Sequence, residues 1–244
     1  MKVSYGTRGI IGVINISSTV NLEPEFTAMA PEGVAVLTAR VPLPRTTPEE
    51  LMKLSINAKD AAKQLASAKP DIIVFACTSG SFINGAGYDK EVTSLLEEVS
   101  GGIPVITTST ALLAALGTLN IKRFSLATPY IEAVNVPAKR YFEDNGFAVV
   151  KQYGLGLDTD YAIGMQNEEQ VAKLAHFVDC PEAQGVVLSC TNLKSISILE
   201  RLEKELKKSV ISANQATMWY ALRKIGIDDE IKNAGQLMLL PCRL

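Results

Sequence analysis

Short runs of Val, Ile and Leu alternate along this chain with stretches of helical spacing, and this alternation restricts the possible folds more than any other feature. Strand-like runs fall at Gly9–Ile16, 71–76, 103–107, 123–127, 148–153, 185–189 and Ser209–Ser212. Several are almost continuously apolar, as strands buried on both faces must be. Between them lie amphipathic segments. Thr47-Pro48-Glu49-Glu50 has the form of a helix start, with a capping residue, Pro at the first helical position and Glu in the first turn. Leu51, Leu54, Ala58, Ala61, Ala62 and Leu65 then keep helical spacing. Asn167-Glu168-Glu169-Gln170 opens a second such helix, with Val171, Leu174, Ala175 and Val178 as its apolar stripe. The pattern predicts an α/β fold of parallel sheets with helices on both faces.

The chain also repeats itself. The run 71–80, ending Ala76-Cys77-Thr78-Ser79-Gly80, corresponds to 185–193, ending Ser189-Cys190-Thr191-Asn192-Leu193. Residues 103–116 correspond in the same way to 209–222, and 8–14 to 122–128. Two doubly wound lobes are expected, spanning 1–120 and 121–244 and related by a pseudo-twofold axis. The last helix is free to pack back on the first lobe. No Gly/Ser linker or charge run divides the halves, so an intimate interface is expected.

Composition narrows the function classes. The chain has 244 residues, enough for a sizeable core, and 24 basic against 26 acidic residues, for a net charge of −2. A protein whose main work is gripping phosphates needs a basic surplus. At 6% aromatic residues, a base-stacking platform is not expected either. No apolar run approaches the roughly 20 residues of a membrane span. The first eight residues lack the apolar stretch of an export signal, so a cytoplasmic location is expected.

The four cysteines are Cys77, Cys180, Cys190 and Cys242, with no CxxC pair and a single histidine, His176. This set argues against a structural zinc site, and a reducing compartment argues against disulfides. Cys77 and Cys190 stand apart, because each ends a buried strand in a matched Cys-Thr context. Ligands of open parallel sheets bind outside the carboxyl ends of the strands, so the two thiols are expected to share a cleft between the lobes. The N–H groups of Thr78, Ser79, Thr191 and Asn192 are expected to enter helix starts, which suit a carboxylate and favour a thiolate. His176 is placed on a helix away from any strand end, which removes a Cys–His dyad from consideration. Two opposed thiols suit proton transfer or addition on both faces of a carbon centre, as racemisation and cis–trans isomerisation require. Cys180 and Cys242 lack the strand-end context and are read as structural.

The segments Gly12-Val13-Ile14 through Ser17-Ser18 to Leu22-Glu23-Pro24-Glu25-Phe26, Cys77-Thr78-Ser79-Gly80-Ser81-Phe82, 107–111, Ala127-Thr128-Pro129-Tyr130 and 188–192 resemble the maleate isomerase and arylmalonate decarboxylase branch of the aspartate/glutamate racemase superfamily. The resemblance implies a cofactor-independent enzyme with its site between two lobes. It implies Cys77 as nucleophile or base and Cys190 as proton donor, because the decarboxylases carry glycine at the position of Cys77 and the isomerases and racemases carry both cysteines. It implies carboxylate contacts from Thr78, Ser79, Tyr130, Thr191 and Asn192. Two positions depart from the isomerase pattern, which has asparagine where this chain has Thr19 and, in the segment 157–160, near Asp160. A carboxylate there repels a dianion by about 1–4 kcal/mol unless it is protonated or turned away; if it is neither, the substrate is expected to carry an amine or hydroxyl, or a single carboxylate. The alternatives are a decarboxylase using Cys190 alone and a non-catalytic module that binds a small acid.

The remaining motifs receive plainer readings. Asn84-Gly85-Ala86-Gly87 is read as a loop near the cleft mouth, and Glu23-Pro24-Glu25 as a solvated turn. Trp219 and Tyr220 are assigned to inter-lobe or subunit packing, and a homo-oligomer, a dimer, is expected, for which apolar helices such as 217–222 leave room. Lys204-Glu205-Leu206-Lys207-Lys208 is read as the solvated end of an amphipathic helix.

Overall fold

A computed structural model describes residues 5–242. Residues 1–4, the start of the N-terminal stretch, lie outside the described residues. Eight strands form two four-stranded parallel sheets. The first contains β1 (Gly9–Ile16), β2 (Val34–Val41), β3 (Ile72–Phe75) and β4 (Val105–Thr107) in the order β2-β1-β3-β4. The second contains β5 (Arg123–Tyr130), β6 (Ala148–Leu157), β7 (Gly185–Leu188) and β8 (Ser209–Ser212) in the order β6-β5-β7-β8. The two orders are the same once the numbering is shifted by four strands, which is the repetition seen in the sequence. The expected α/β architecture is therefore observed.

Strand β2 has no counterpart among the expected strands. Its sequence, VAVLTARV, is an edge strand with half-exposed positions at 35–37 and exposed ones at Thr38 and Arg40, so it lacks the continuous apolar run that marks the central strands. Strands β5 and β6 each run a few residues beyond their expected ends, to Tyr130 and Leu157.

The helices are α1 (Leu22–Met29), α2 (Pro48–Ala66), α3 (Thr78–Phe82), α4 (Tyr88–Val99), α5 (Thr108–Thr118), α6 (Glu132–Asp144), α7 (Asp160–Gly164), α8 (Glu168–Val178), α9 (Leu199–Leu206) and α10 (Ala213–Lys224). Helices α5 and α10 follow equivalent strands, β4 and β8, without a loop. Each is capped by the last residue of its strand: Thr107 accepts from the Thr110 N–H, and Ser212 forms a capping box with Gln215. The two helices pack on one another, and α10 also meets α1 and β3. Helix α10 is buried along almost its whole length, from Ala213 to Leu222, and its buried polar residues Asn214, Gln215 and Thr217 are all hydrogen-bonded. Trp219 is fully buried and its indole N–H donates to the Leu240 carbonyl at 2.8 Å. Residues 217–222 therefore leave no room for a dimer contact, and Trp219 and Tyr220 lie on a helix that packs against the first sheet's elements. No helix among the described residues is long and apolar enough to cross a membrane.

Candidate functional site

Strand β3 is buried at every position and delivers Ala76 and Cys77 to the carboxyl edge of its sheet. Cys77 then caps the short helix α3 with its own sulfur, which accepts from the Gly80 N–H at 3.4 Å. Gly80 makes this turn possible. A Cβ there would lie 2.8 Å from Leu54 and 3.0 Å from Cys77 Sγ. The equivalent strand β7 delivers Ser189 and Cys190. No helix starts there. The chain makes a turn through Thr191 and Asn192 and reaches α9 by way of a 3₁₀ segment, Ile196–Ile198. The expected helix start at Thr191 is therefore corrected, although the Asn192 N–H still donates to Cys190 Sγ at 3.4 Å.

One narrow cavity is lined from both sheets. Its walls include Ile16, Leu43, Thr46, Cys77, Thr78, Ser79, Tyr130, Asp160, Ile163, Cys190 and Thr191. It has space for about one water molecule, so a ligand of several carbons requires the walls to part. The covering segments are joined to each other. The Thr46 N–H donates to the Asp158 carbonyl at 2.8 Å, and Arg45 pairs with the Asp158 carboxylate.

The thiols are free and buried. Burial pushes both up to about 12, against which the N–H of Gly80 and the Ser79 hydroxyl act on Cys77, and the N–H of Asn192 and the Tyr130 hydroxyl act on Cys190. The nearby Asp160 carboxylate raises both thiols further. Thiolate character in the resting protein is therefore corrected: desolvation outweighs the donors. Tyr130 is 1% exposed and edge-on to Phe82, with ring centroids 6.3 Å apart. Burial, together with the two thiols, holds its hydroxyl well above the usual phenol range.

Thr78 Oγ1 is buried in the wall and has no protein partner. Ser79 Oγ lies 3.9 Å from Cys77 Sγ. Thr191 lines the cavity, but its hydroxyl donates to the Ala76 carbonyl at 3.2 Å and so ties the two sheets together. Asn192 is corrected as a direct contact. Its Oδ1 accepts from the N–H groups of Val20 and Asn21, and its Nδ2 donates to the Asp160 carbonyl at 2.8 Å. Thr19 is buried beside the cavity, and its Oγ1 donates to Asp160 Oδ2 at 2.9 Å. Ser18 donates to the same oxygen at 3.0 Å. Burial raises the Asp160 pKa above the ordinary carboxylate value, while these hydroxyls pull it back.

Sequence reasoning missed Leu43, Thr46 and Ile163, which lie in segments with no motif. It also missed Glu25. Expected in a solvated turn, Glu25 lies on α1 and accepts from the N–H groups of Ser195 and Ile196 at 2.6 and 3.0 Å, and from Asn214 Nδ2 at 2.7 Å. Asn214 Nδ2 also donates to the Thr191 carbonyl at 2.9 Å, next to Cys190. The 84–87 loop is corrected as well. It lines a separate surface concavity with Val136, Pro137, Arg140 and Asp144. His176 is exposed on α8, 2.8 Å from Glu205. Among the described residues no group of three or more His, Cys, Asp or Glu is placed to hold a metal ion.

Residues 11–238 match the family model for arylmalonate decarboxylase. The chain belongs to the arylmalonate decarboxylase family. Relatives of this family member include a maleate isomerase of Geobacillus stearothermophilus, 27% identical over 93% of this chain and 96% of the relative. An arylmalonate decarboxylase of Bordetella bronchiseptica is 27% identical over 88% of this chain and 90% of the relative. Among solved structures, a Nocardia farcinica maleate cis-trans isomerase variant with a covalently bound succinylcysteine intermediate superposes with a TM-score of 0.89, at 26% identity over 94% of this chain and 98% of that one. A Pseudomonas putida maleate isomerase with maleate shares the fold at a TM-score of 0.90 and 23% identity, covering 95% and 97% of the two chains.

Proposed function

We propose that this member of the arylmalonate decarboxylase family is a cofactor-independent isomerase of a small unsaturated carboxylic acid, working through Cys77 and Cys190. The observation that carries this reading is the presence of both thiols in the wall of one narrow cavity, one from each sheet. A decarboxylase needs one proton donor; a second matched thiol suits addition and elimination across a double bond.

In the proposed reaction Cys77 Sγ bonds to one alkene carbon. The π pair moves to the neighbouring carbon, which takes the proton of Cys190. The proton released from Cys77 restores Cys190, so one S–H and one C=C become one C–S and one C–H. Rotation about the new single bond and the reverse sequence give the other geometric isomer. Because burial holds both sulfurs as thiols at rest, the charged form arises only during turnover. The unpartnered Thr78 hydroxyl, with Ser79 and Tyr130, supplies donors for a substrate carboxylate. Thr191 acts as a wall, while Thr19 and Asn192 act through Asp160.

In this reading residues 1–120 and 121–244 are the two lobes, and the free cysteines fit a reducing, cytoplasmic setting. A homodimer, if formed, uses a face other than α10.

Mass spectrometry of the intact protein tests the proposal. Incubation of Cys190→Ser with a cis-alkene acid should leave a covalent adduct on Cys77, and each single Cys→Ser change should reduce turnover at least ~1,000-fold. Full turnover by Cys77→Ser would remove the two-thiol reaction and favour decarboxylation. Two thiols that no small acid protects from alkylation would leave neither.

A further inference from the structure

The cavity wall carries two chemically unlike sets of groups. One is hydroxyl donors, Thr78 Oγ1 without any partner among them. The other is Asp160, 8% exposed, at the first position of α7. The hydroxyls of Ser18 and Thr19 both donate to Oδ2, and the neighbouring Asn192 amide donates to the Asp160 backbone carbonyl and acts on its carboxylate as well. No ion pair to Asp160 forms among the described residues. Arg40, the nearest cation acting on it, is paired with Glu23 at 2.8 Å and donates to the Ser17 carbonyl. Asp160 therefore brings to the cavity wall a carboxylate that accepts hydrogen bonds and that no ion pair balances. A buried carboxylate without a cation is costly unless something donates to it.

We propose that the site takes a monocarboxylate whose far end presents an N–H donor, an amide or an ammonium group, to Asp160, and that it discriminates against a dicarboxylate. The proposal rests on the reading that a small acid binds between the thiols. A second carboxylate would meet the charge of an ionised Asp160, and like charges in a desolvated site repel strongly. The donor has a further consequence. Asp160 is among the groups that raise both thiols, so a ligand that neutralises its field eases formation of the Cys77 thiolate only when the correct substrate is bound.

The test uses the full chain and Asp160→Asn, which keeps the shape and replaces an acceptor by a donor. The probes are the cis-butenedioic monoamide for the amide, alanine for the ammonium, and maleate for the dianion. Isomerisation is followed for the two alkenes and exchange of the α-hydrogen in deuterated water for alanine. In the wild type, kcat/KM for isomerisation of the monoamide, or kcat/KM for α-hydrogen exchange of alanine, should exceed kcat/KM for maleate at least tenfold. Asp160→Asn should invert this preference, and whichever probe responds identifies the donor. A wild type that prefers maleate, or a variant that loses both preferences equally, overturns the proposal. Protection of the thiols from iodoacetamide by the same three compounds is measured in parallel. If no compound turns over but the monoamide or alanine protects better than maleate, and Asp160→Asn reverses the order, the isomerase reading fails while the ligand class stands. Protection by none of them, or best by maleate, overturns the ligand class.

Discussion

Glu25 illustrates how a single residue can fix the geometry of a site it does not touch. Its carboxylate, on the first sheet's side, receives two backbone N–H groups and an amide from the second half of the chain, and that amide also holds the Thr191 carbonyl. Burial raises its pKa, and the hydrogen bonds oppose the rise. Glu25→Ala should cost about 1–3 kcal/mol for the donors left unsatisfied, read as a lower midpoint in urea. It should also slow turnover while Cys77 remains as open to alkylation as before. The sequence could not reveal this role, because Ser195 lies 170 positions away and Glu-Pro-Glu on its own looks like a turn. Cys77 and Cys190 are legible for the opposite reason: burial of a strand and the thiol at its end are both local features. Asp160 is legible only through resemblance, and Thr46 not at all.

At the level of elements, the central strands betray themselves by continuous apolar runs, whereas the edge strand β2 does not, since half its positions meet solvent. Helices read well where a helix-start signature precedes an apolar stripe, as at α2 and α8, although Asn167 caps α8 with its side chain and Thr47 does not cap α2. The segment after Cys190 reads as a helix start but folds as a turn, because the matched Cys-Thr pairs lead into different sequences: Ser79-Gly80-Ser81 coils tightly after Cys77, and Asn192-Leu193-Lys194 does not. The junction of β8 and α10 offers a direct check. Ser212 accepts from the Gln215 N–H, and Gln215 Nε2 reaches the Ala234 carbonyl at 2.6 Å. Ser212→Ala should cost about 0.5–2 kcal/mol. Because α10 packs against α5, the loss should appear as a shift of the whole unfolding transition, with no separate early phase in circular dichroism.

For the whole molecule, the buried thiols make stability depend on alkaline pH. Both are raised from 9.0 to about 12 in the folded protein. Below pH 9 the folded and unfolded chains both keep these protons, and their contribution is complete. Between about pH 9 and 12 the unfolded chain releases protons that the folded one retains, so unfolding gains and stability falls. The melting temperature should decline across this window, and the decline should be shallower in the Cys77→Ser, Cys190→Ser double variant. Equal slopes would mean that the sulfurs are less shielded than their surroundings suggest.

The shared strand order of the two sheets has a final consequence. A reaction centre on the seam of two like halves has no inherent head or tail: either sulfur could attack and the other could quench. Orientation is then imposed by whatever breaks the twofold symmetry, and here Asp160 and Tyr130, both from the second half, line the cavity, while Cys77 alone caps a helix. The direction of the chemistry follows from these unequal surroundings, and Asp160→Asn should narrow the difference in reactivity between the two cysteines.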